Sequence, residues 1–172
     1  KLFVSSQTKD ADLFLVIRLF TPDMKEVTFK GTVDPHTPIA QGWLRASHRK
    51  LDKKMTKRWQ PWHTHDEKQP LKPGEVYELD IEIWPTCVVV PAGYRLALSV
   101  RGKDYVYSNA TDAIVMPGYP PFNGCGVFYH TDPKDRPKSV FGKQVTLHTG
   151  PKHKSYLLLP VIPAKGRVGK KK

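Results

Sequence analysis

Several short stretches of this chain alternate apolar and polar side chains with a period of two. That spacing suits a sheet, because successive residues of a strand point to opposite faces. In Leu79-Asp80-Ile81-Glu82-Ile83-Trp84 the residues Leu79, Ile81 and Ile83 share one face, with Asp80 and Glu82 opposite. In Tyr94 to Arg101 the apolar face is Tyr94, Leu96, Leu98 and Val100. Gln144 to His148 alternates in the same way. Asp12 to Phe20 is a longer apolar run rich in β-branched and aromatic residues, closed by Thr21-Pro22-Asp23, and Glu26 to Lys30 reads as the returning strand of a hairpin. Val88 to Val90, bounded by Pro91-Ala92-Gly93, and Ser155 to Leu159 are expected to be further short strands, the latter buried. No stretch carries helical apolar spacing with caps at both ends. With 16 prolines and 12 glycines as punctuation, the expected fold is an all-β sandwich.

Two segments break this rhythm. Lys50 to Pro73 is polar, basic and interrupted by proline. Lys103 to Arg136 is long and loop-like but carries Tyr105, Tyr107, Tyr119, Phe122, Phe128 and Tyr129. Long structureless loops are uncommon in compact domains, and an aromatic one has to pack somewhere. A sheet face and a neighbouring domain are the two simplest places.

At 172 residues the chain suits one domain, with 1–163 as the folded unit and 164–172 as a disordered basic tail. The net charge is +12, and half of the 28 Lys and Arg lie in two places. Arg45, Arg49, Lys50, Lys53, Lys54, Lys57 and Arg58 form one group. Lys152, Lys154, Lys165, Arg167, Lys170, Lys171 and Lys172 form the other. Solvated charge is the simplest use of both, and nucleic acid is not an expected partner because no binding-module motif accompanies the charge. The longest apolar runs are far too short to span a bilayer, so no membrane is expected either. The opening residues lack signal-peptide organisation and read as a start made inside a strand. Cys87 and Cys125 are too few for a disulfide scaffold and are expected as reduced thiols, which leans towards a cytoplasmic setting. Asn109-Ala110-Thr111 has the form of a glycosylation acceptor.

The chemical motifs are as informative by omission. No G-x-S-x-G stands anywhere, so the strained turn that exposes a hydrolase nucleophile is missing. Ser47-His48 cannot act as nucleophile and base if the pair lies on a strand, since neighbours there face opposite ways. His63-Thr64-His65-Asp66 and Asp10-Ala11-Asp12 offer partial metal-ligand sets without the remaining ligands, so no metal and no cofactor is expected. Trp43 and Trp84 sit among strand residues and read as core or interface. Trp59 and Trp62 lie in the basic segment and are the candidates for an exposed ligand-binding pair, for carbohydrate or a polyanion, should the chain be a stand-alone binding module.

Six segments, in order, resemble the C-terminal domain of X-Pro dipeptidyl-peptidase and cocaine-esterase-like serine hydrolases. They are Ser5-Ser6 with Asp10 to Phe14; Gly42 to Arg49 with Leu51-Asp52; Pro70 to Glu75; Ile83 to Thr86; Pro91 to Leu96; and Ser155 to Pro163. The resemblance departs after Leu51-Asp52, where Lys53-Lys54-Met55-Thr56-Lys57 replaces the family's usual proline and serine, and the family's domain normally begins upstream of Lys1. It implies a galactose-binding-like jelly-roll sandwich that packs on an α/β-hydrolase domain of the same enzyme. That domain would hold the triad, so no catalytic residue is assigned here. Homo-oligomerisation is a further outcome to expect of an unpaired sheet edge. The docking candidates are Trp43, Arg45, His48 and Arg49 in the densest motif, and Tyr105, Phe122 and Phe128 in the aromatic segment.

Overall fold

The computed structural model describes residues 1–108 and 110–162. The expected basic tail, and Asn109 of the glycosylation triplet, lie outside them. Among the described residues seven strands form two antiparallel sheets. β1 (Leu2–Ser6) is the centre of the first, between β5 (Tyr77–Leu79) and β7 (Val145–His148). β2 (Asp12–Phe20) is the centre of the second. β6 (Arg95–Arg101) runs along one of its edges, and β4 (Ala40–Arg45) followed by β3 (Glu26–Val27) runs along the other. The expected all-β class holds, and the hairpin after Phe20 is present as β3.

Register decides what each face carries. β2 meets β4 with Asp12 opposite Arg45, Leu13 opposite Leu44, and Phe14 opposite Trp43. Leu13, Leu15, Ile17 and Leu19 therefore face inward, where they join Leu2, Val4, Leu44, Leu71 and Leu79, with Ile39 and Ala40 further along. Asp12, Phe14 and Val16 face outward with Trp43 and Arg45. Phe14 and Val16 are nonetheless buried, because the aromatic segment after β6 lies over this side. The sheet-covering alternative is thus the one the chain adopts.

Buried carboxylates pin that cover. Asp34 Oδ2 accepts hydrogen bonds from the backbone N–H groups of Gly124 and Gly126, both at 2.7 Å, and its Oδ1 accepts the His36 N–H at 2.8 Å. Asp104 accepts the backbone N–H and Nδ1 of His130. Tyr105 donates its hydroxyl to Glu26 at 2.7 Å, and Glu26 also receives Arg18. Buried charges persist when each is met by several donors.

Gly42 is required by a close approach. A Cβ there would collide with the carbonyl of Glu82, which crosses the inner side of β4. This crossing also changes the expected strand at 79–84. Only Tyr77–Leu79 pairs with β1, and beyond it the chain leaves the ladder, joined to β4 by the Trp84 N–H on the Gln41 carbonyl at 3.0 Å. Two other expected strands are also corrected. Val88 to Val90 forms no ladder, and Val89 is 89% exposed. Ser155 to Leu159 is extended but unpaired and largely exposed: Tyr156 exchanges hydrogen bonds with Lys1, and Leu157 alone packs on the core. A strand needs a partner as well as a pattern.

Candidate functional site

The outward face of β2 and β4 bears an open cleft of about 400 Å³, lined by Asp12, Phe14, Trp43, Arg45, His48, His65, His130 and Asp135. Trp43 on its wall continues outward into an aromatic cluster. The Trp43 ring lies 4.9 Å from Trp84, 5.0 Å from His130 and 5.9 Å from Phe128, and Phe128 meets Trp84 edge-on at 5.1 Å. Trp84 and Phe128 are 44% and 45% exposed. Ring edges that already pack on one another and still face outward make a preformed apolar platform.

The charged wall is closed on itself. Arg45 pairs its guanidinium with both oxygens of Asp12 and both of Asp135, at 2.8–3.0 Å, and stacks over Phe141. These bonds push the Arg45 pKa up, first through Asp12 and then Asp135. Arg136 donates to the same Asp12 at 2.8 Å, to the carbonyls of His130 and Gly102, and lies over the Phe14 ring. Arg45 therefore fastens the covering segment to the sheet.

The other expected docking residues separate. Arg49 donates to the carbonyls of Ala46 and Gln69 and stacks over Tyr77, so its fork is used internally. Tyr105 and Phe122 are 2% and 1% exposed, which corrects their assignment to a docking surface: they anchor the covering segment from within. Trp43, His48 and Phe128 do reach the cleft or its rim. Trp59 and Trp62 stand apart on the basic segment, 68% and 45% exposed.

Ser47 and His48 lie on a 3₁₀ turn (Ala46–His48) and not on a strand. The two still do not pair. Ser47 Oγ donates to Asp10 at 2.7 Å, while His48 Nδ1 lies 3.1 Å from His65 Nδ1. Asp10 and Asp12, weighed from sequence as metal oxygens, are taken up by Ser47 and by Arg45 with Arg136. Histidines 48, 63 and 65 gather in a way that sequence spacing could not show, since the 3₁₀ turn brings His48 to the other two. Burial holds the pKa of His48 and His63 down, with the neighbouring His65 adding to it, and His63 Nε2 is buried without a hydrogen-bond partner. Among the described residues no group of three or more His, Cys, Asp or Glu side chains is arranged to hold a metal ion. Cys87 is exposed and Cys125 buried, both as free thiols, with burial pushing the Cys125 pKa up to about 12.

One serine and histidine pair was missed from the sequence. Ser5 Oγ and His148 Nε2 lie 2.8 Å apart across the β1–β7 ladder. Among the described residues no carboxylate bonds the other nitrogen of His148, so the contact ties two strands without the third group that orients a catalytic base.

Residues 1–158 match the model of the X-Pro dipeptidyl-peptidase C-terminal non-catalytic domain. The chain belongs to that family. Proteins named as serine esterases in Mycobacterium bovis and Mycobacterium tuberculosis are each 28% identical to it over 124 residues, covering 70% of this chain and 17% of the relative. Crystal structures of a CocE/NonD family hydrolase from Staphylococcus aureus superpose with a TM-score of 0.61 at 31% identity, over 74% of this chain and 23% of that one. The chain thus spans only 17% to 23% of the length of the proteins it is similar to. The segment Gly42-Trp43-Leu44-Arg45-Ala46-Ser47-His48-Arg49, within the matched region, has a physical reading here. Gly42 admits the crossing segment at Glu82, Trp43 seeds the aromatic platform, Arg45 holds Asp12 and Asp135, Ser47 holds Asp10, and Arg49 caps carbonyls.

Proposed function

We propose that this chain is the accessory β-sandwich, of jelly-roll type, of a serine hydrolase that cleaves ester or amide bonds through an acyl-enzyme. In this reading it packs on an α/β-hydrolase domain that supplies nucleophile, base and acid. The observation that carries the proposal is the platform of Trp43, Trp84 and Phe128, half open to solvent on a face whose charged groups are already paired. A neighbouring domain that covers it gains apolar burial without desolvating free charge. His48 on the cleft floor is positioned to meet the same partner. The domain's contribution is stability and one wall of the substrate cleft.

Two measurements test this. Incubation of the chain with a chromogenic ester, an X-Pro amide and a fluorophosphonate probe is expected to give no turnover and no labelled serine; stoichiometric labelling would overturn the reading. In the complete enzyme, Trp84→Ser with Phe128→Ser is expected to loosen the domain contact and lower the melting temperature. An unchanged melt would place the contact elsewhere.

A further inference from the structure

The basic segment is built, and it presents apolar groups outward. Leu51 pairs with His63, and the Asp52 N–H donates to the Trp62 carbonyl at 2.8 Å, closing the base of a small hairpin. Inside it, Asp52 Oδ1 accepts the N–H groups of Lys54 and Met55, and Thr56 Oγ1 accepts the N–H of Trp62. Lys57 and Gln60 exchange both backbone hydrogen bonds, at 2.9 and 3.0 Å, which sets Arg58 and Trp59 at the tip of a tight turn. The order of this backbone contrasts with its surface, where Met55, Trp59 and Trp62 are 49%, 68% and 45% exposed. Of the basic residues from Lys50 to Arg58, Lys50 alone forms an ion pair among the described residues, with Asp66 and Glu67. Lys53, Lys54, Lys57 and Arg58 are exposed and form no ion pair among the described residues, with Lys57 and Arg58 beside Lys1 and Asp80.

We propose that the 52–62 hairpin is a peripheral docking element for an anionic lipid surface. Indole and thioether groups fit the boundary between headgroups and acyl chains, and the surrounding cations fit anionic headgroups. A soluble polyanion would use the cations, and one with bases would stack on the indoles, but neither gives the exposed Met55 thioether a role, which favours a surface that takes charge and apolar groups together. The expectation of no membrane rested on the lack of a spanning segment, and none of the described helices is long or apolar enough to span. A surface contact needs no span. The hairpin's internal hydrogen bonds lower the backbone ordering cost of such a contact.

The test is sedimentation of the full chain with vesicles of phosphatidylcholine alone and of phosphatidylcholine with phosphatidylserine. Binding is expected to the mixed vesicles only. Lys54→Gln with Lys57→Gln is expected to weaken it about 25-fold, from about fivefold per cation. Trp59→Ala is expected to weaken it about tenfold through lost apolar burial. The terminal lysines are unchanged in these variants, so any loss is assigned to the hairpin. Matching thermal melts of the variants establish that folding is intact, and Trp59→Phe, which keeps an aromatic ring at the tip, is expected to retain most binding. The proposal is overturned by three results: no sedimentation with mixed vesicles, sedimentation indifferent to Trp59→Ala, or binding to a thymidine oligonucleotide that outcompetes the vesicles.

Discussion

The covering segment 103–136 and the hairpin 52–62 both interrupt the alternation of the strands, yet they use charge in opposite ways. Around the covering segment, acids from it and from the elements it covers are the fasteners. Asp34 and Asp104 are 2% and 8% exposed and receive backbone and imidazole donors, while Asp12 and Glu26 on the sheet receive arginines and Tyr105. In the hairpin a single acid, Asp52, organises the backbone and the cations are left facing solvent. A loop whose charges are internally matched becomes part of the core, and a loop whose charges are unmatched keeps them for a partner.

The largest test of this contrast is Asp34→Ala. It leaves the Gly124, Gly126 and His36 N–H groups without their acceptor, and is expected to cost about 3 kcal/mol or more in urea unfolding. Proteolysis should open first within 103–136. If the variant melts like the parent, the carboxylate is not what holds the segment.

Arg45→Ala is expected to cost less, about 1–2 kcal/mol, because Asp12 keeps Arg136 and Asp135 is exposed. The same unfolding measurement reads it, and a larger loss in the complete enzyme than in this chain would show that Arg45 also meets the neighbouring domain.

A smaller effect follows from His48 at the cleft and the half-buried His63 near it. The His48 and His63 pKa values are depressed by burial in the folded chain, so in the ordinary histidine range the unfolded chain binds protons first. Their contribution to stability is present above that range and is lost as pH falls towards the depressed values. The melting temperature should decline on mild acidification, and His63→Gln should flatten that decline. A melting temperature that rises on acidification would reverse the sign and mean that both imidazoles gain partners on protonation.

The smallest expected change is Trp59→Ala, within about 0.5 kcal/mol in the same unfolding experiment, as for exposed residues outside the core. A larger cost would show that the indole packs within the fold and would remove the distinction between the two loops.

Much of the fold was legible from side-chain order alone. Alternation marks β6 and β7, β-branched density marks β2, and Thr21-Pro22-Asp23 marks the turn into β3. These signals are local, set by the pleat and by turn chemistry, and they survive without knowledge of what pairs with what. The absence of a nucleophile elbow was legible for the same reason. What the sequence could not decide was partnership. The pattern of Ser155 to Leu159 is that of a strand, but a ladder depends on which edge lies alongside. The aromatics of 103–136 announced packing without saying which would be sealed and which exposed, and tertiary contacts separate Phe122, packed on Tyr119 and Tyr129, from Phe128, half open beside Trp43 and Trp84. Arg45 and Arg49 read as contact residues because they stand in the densest motif, whereas the groups that engage them, Asp12, Asp135 and the Gln69 carbonyl, lie up to 90 residues away in sequence. Composition and periodicity decide what each segment is suited to. Which charge meets which, and hence which surface is left for a partner, is decided only when the chain has closed on itself.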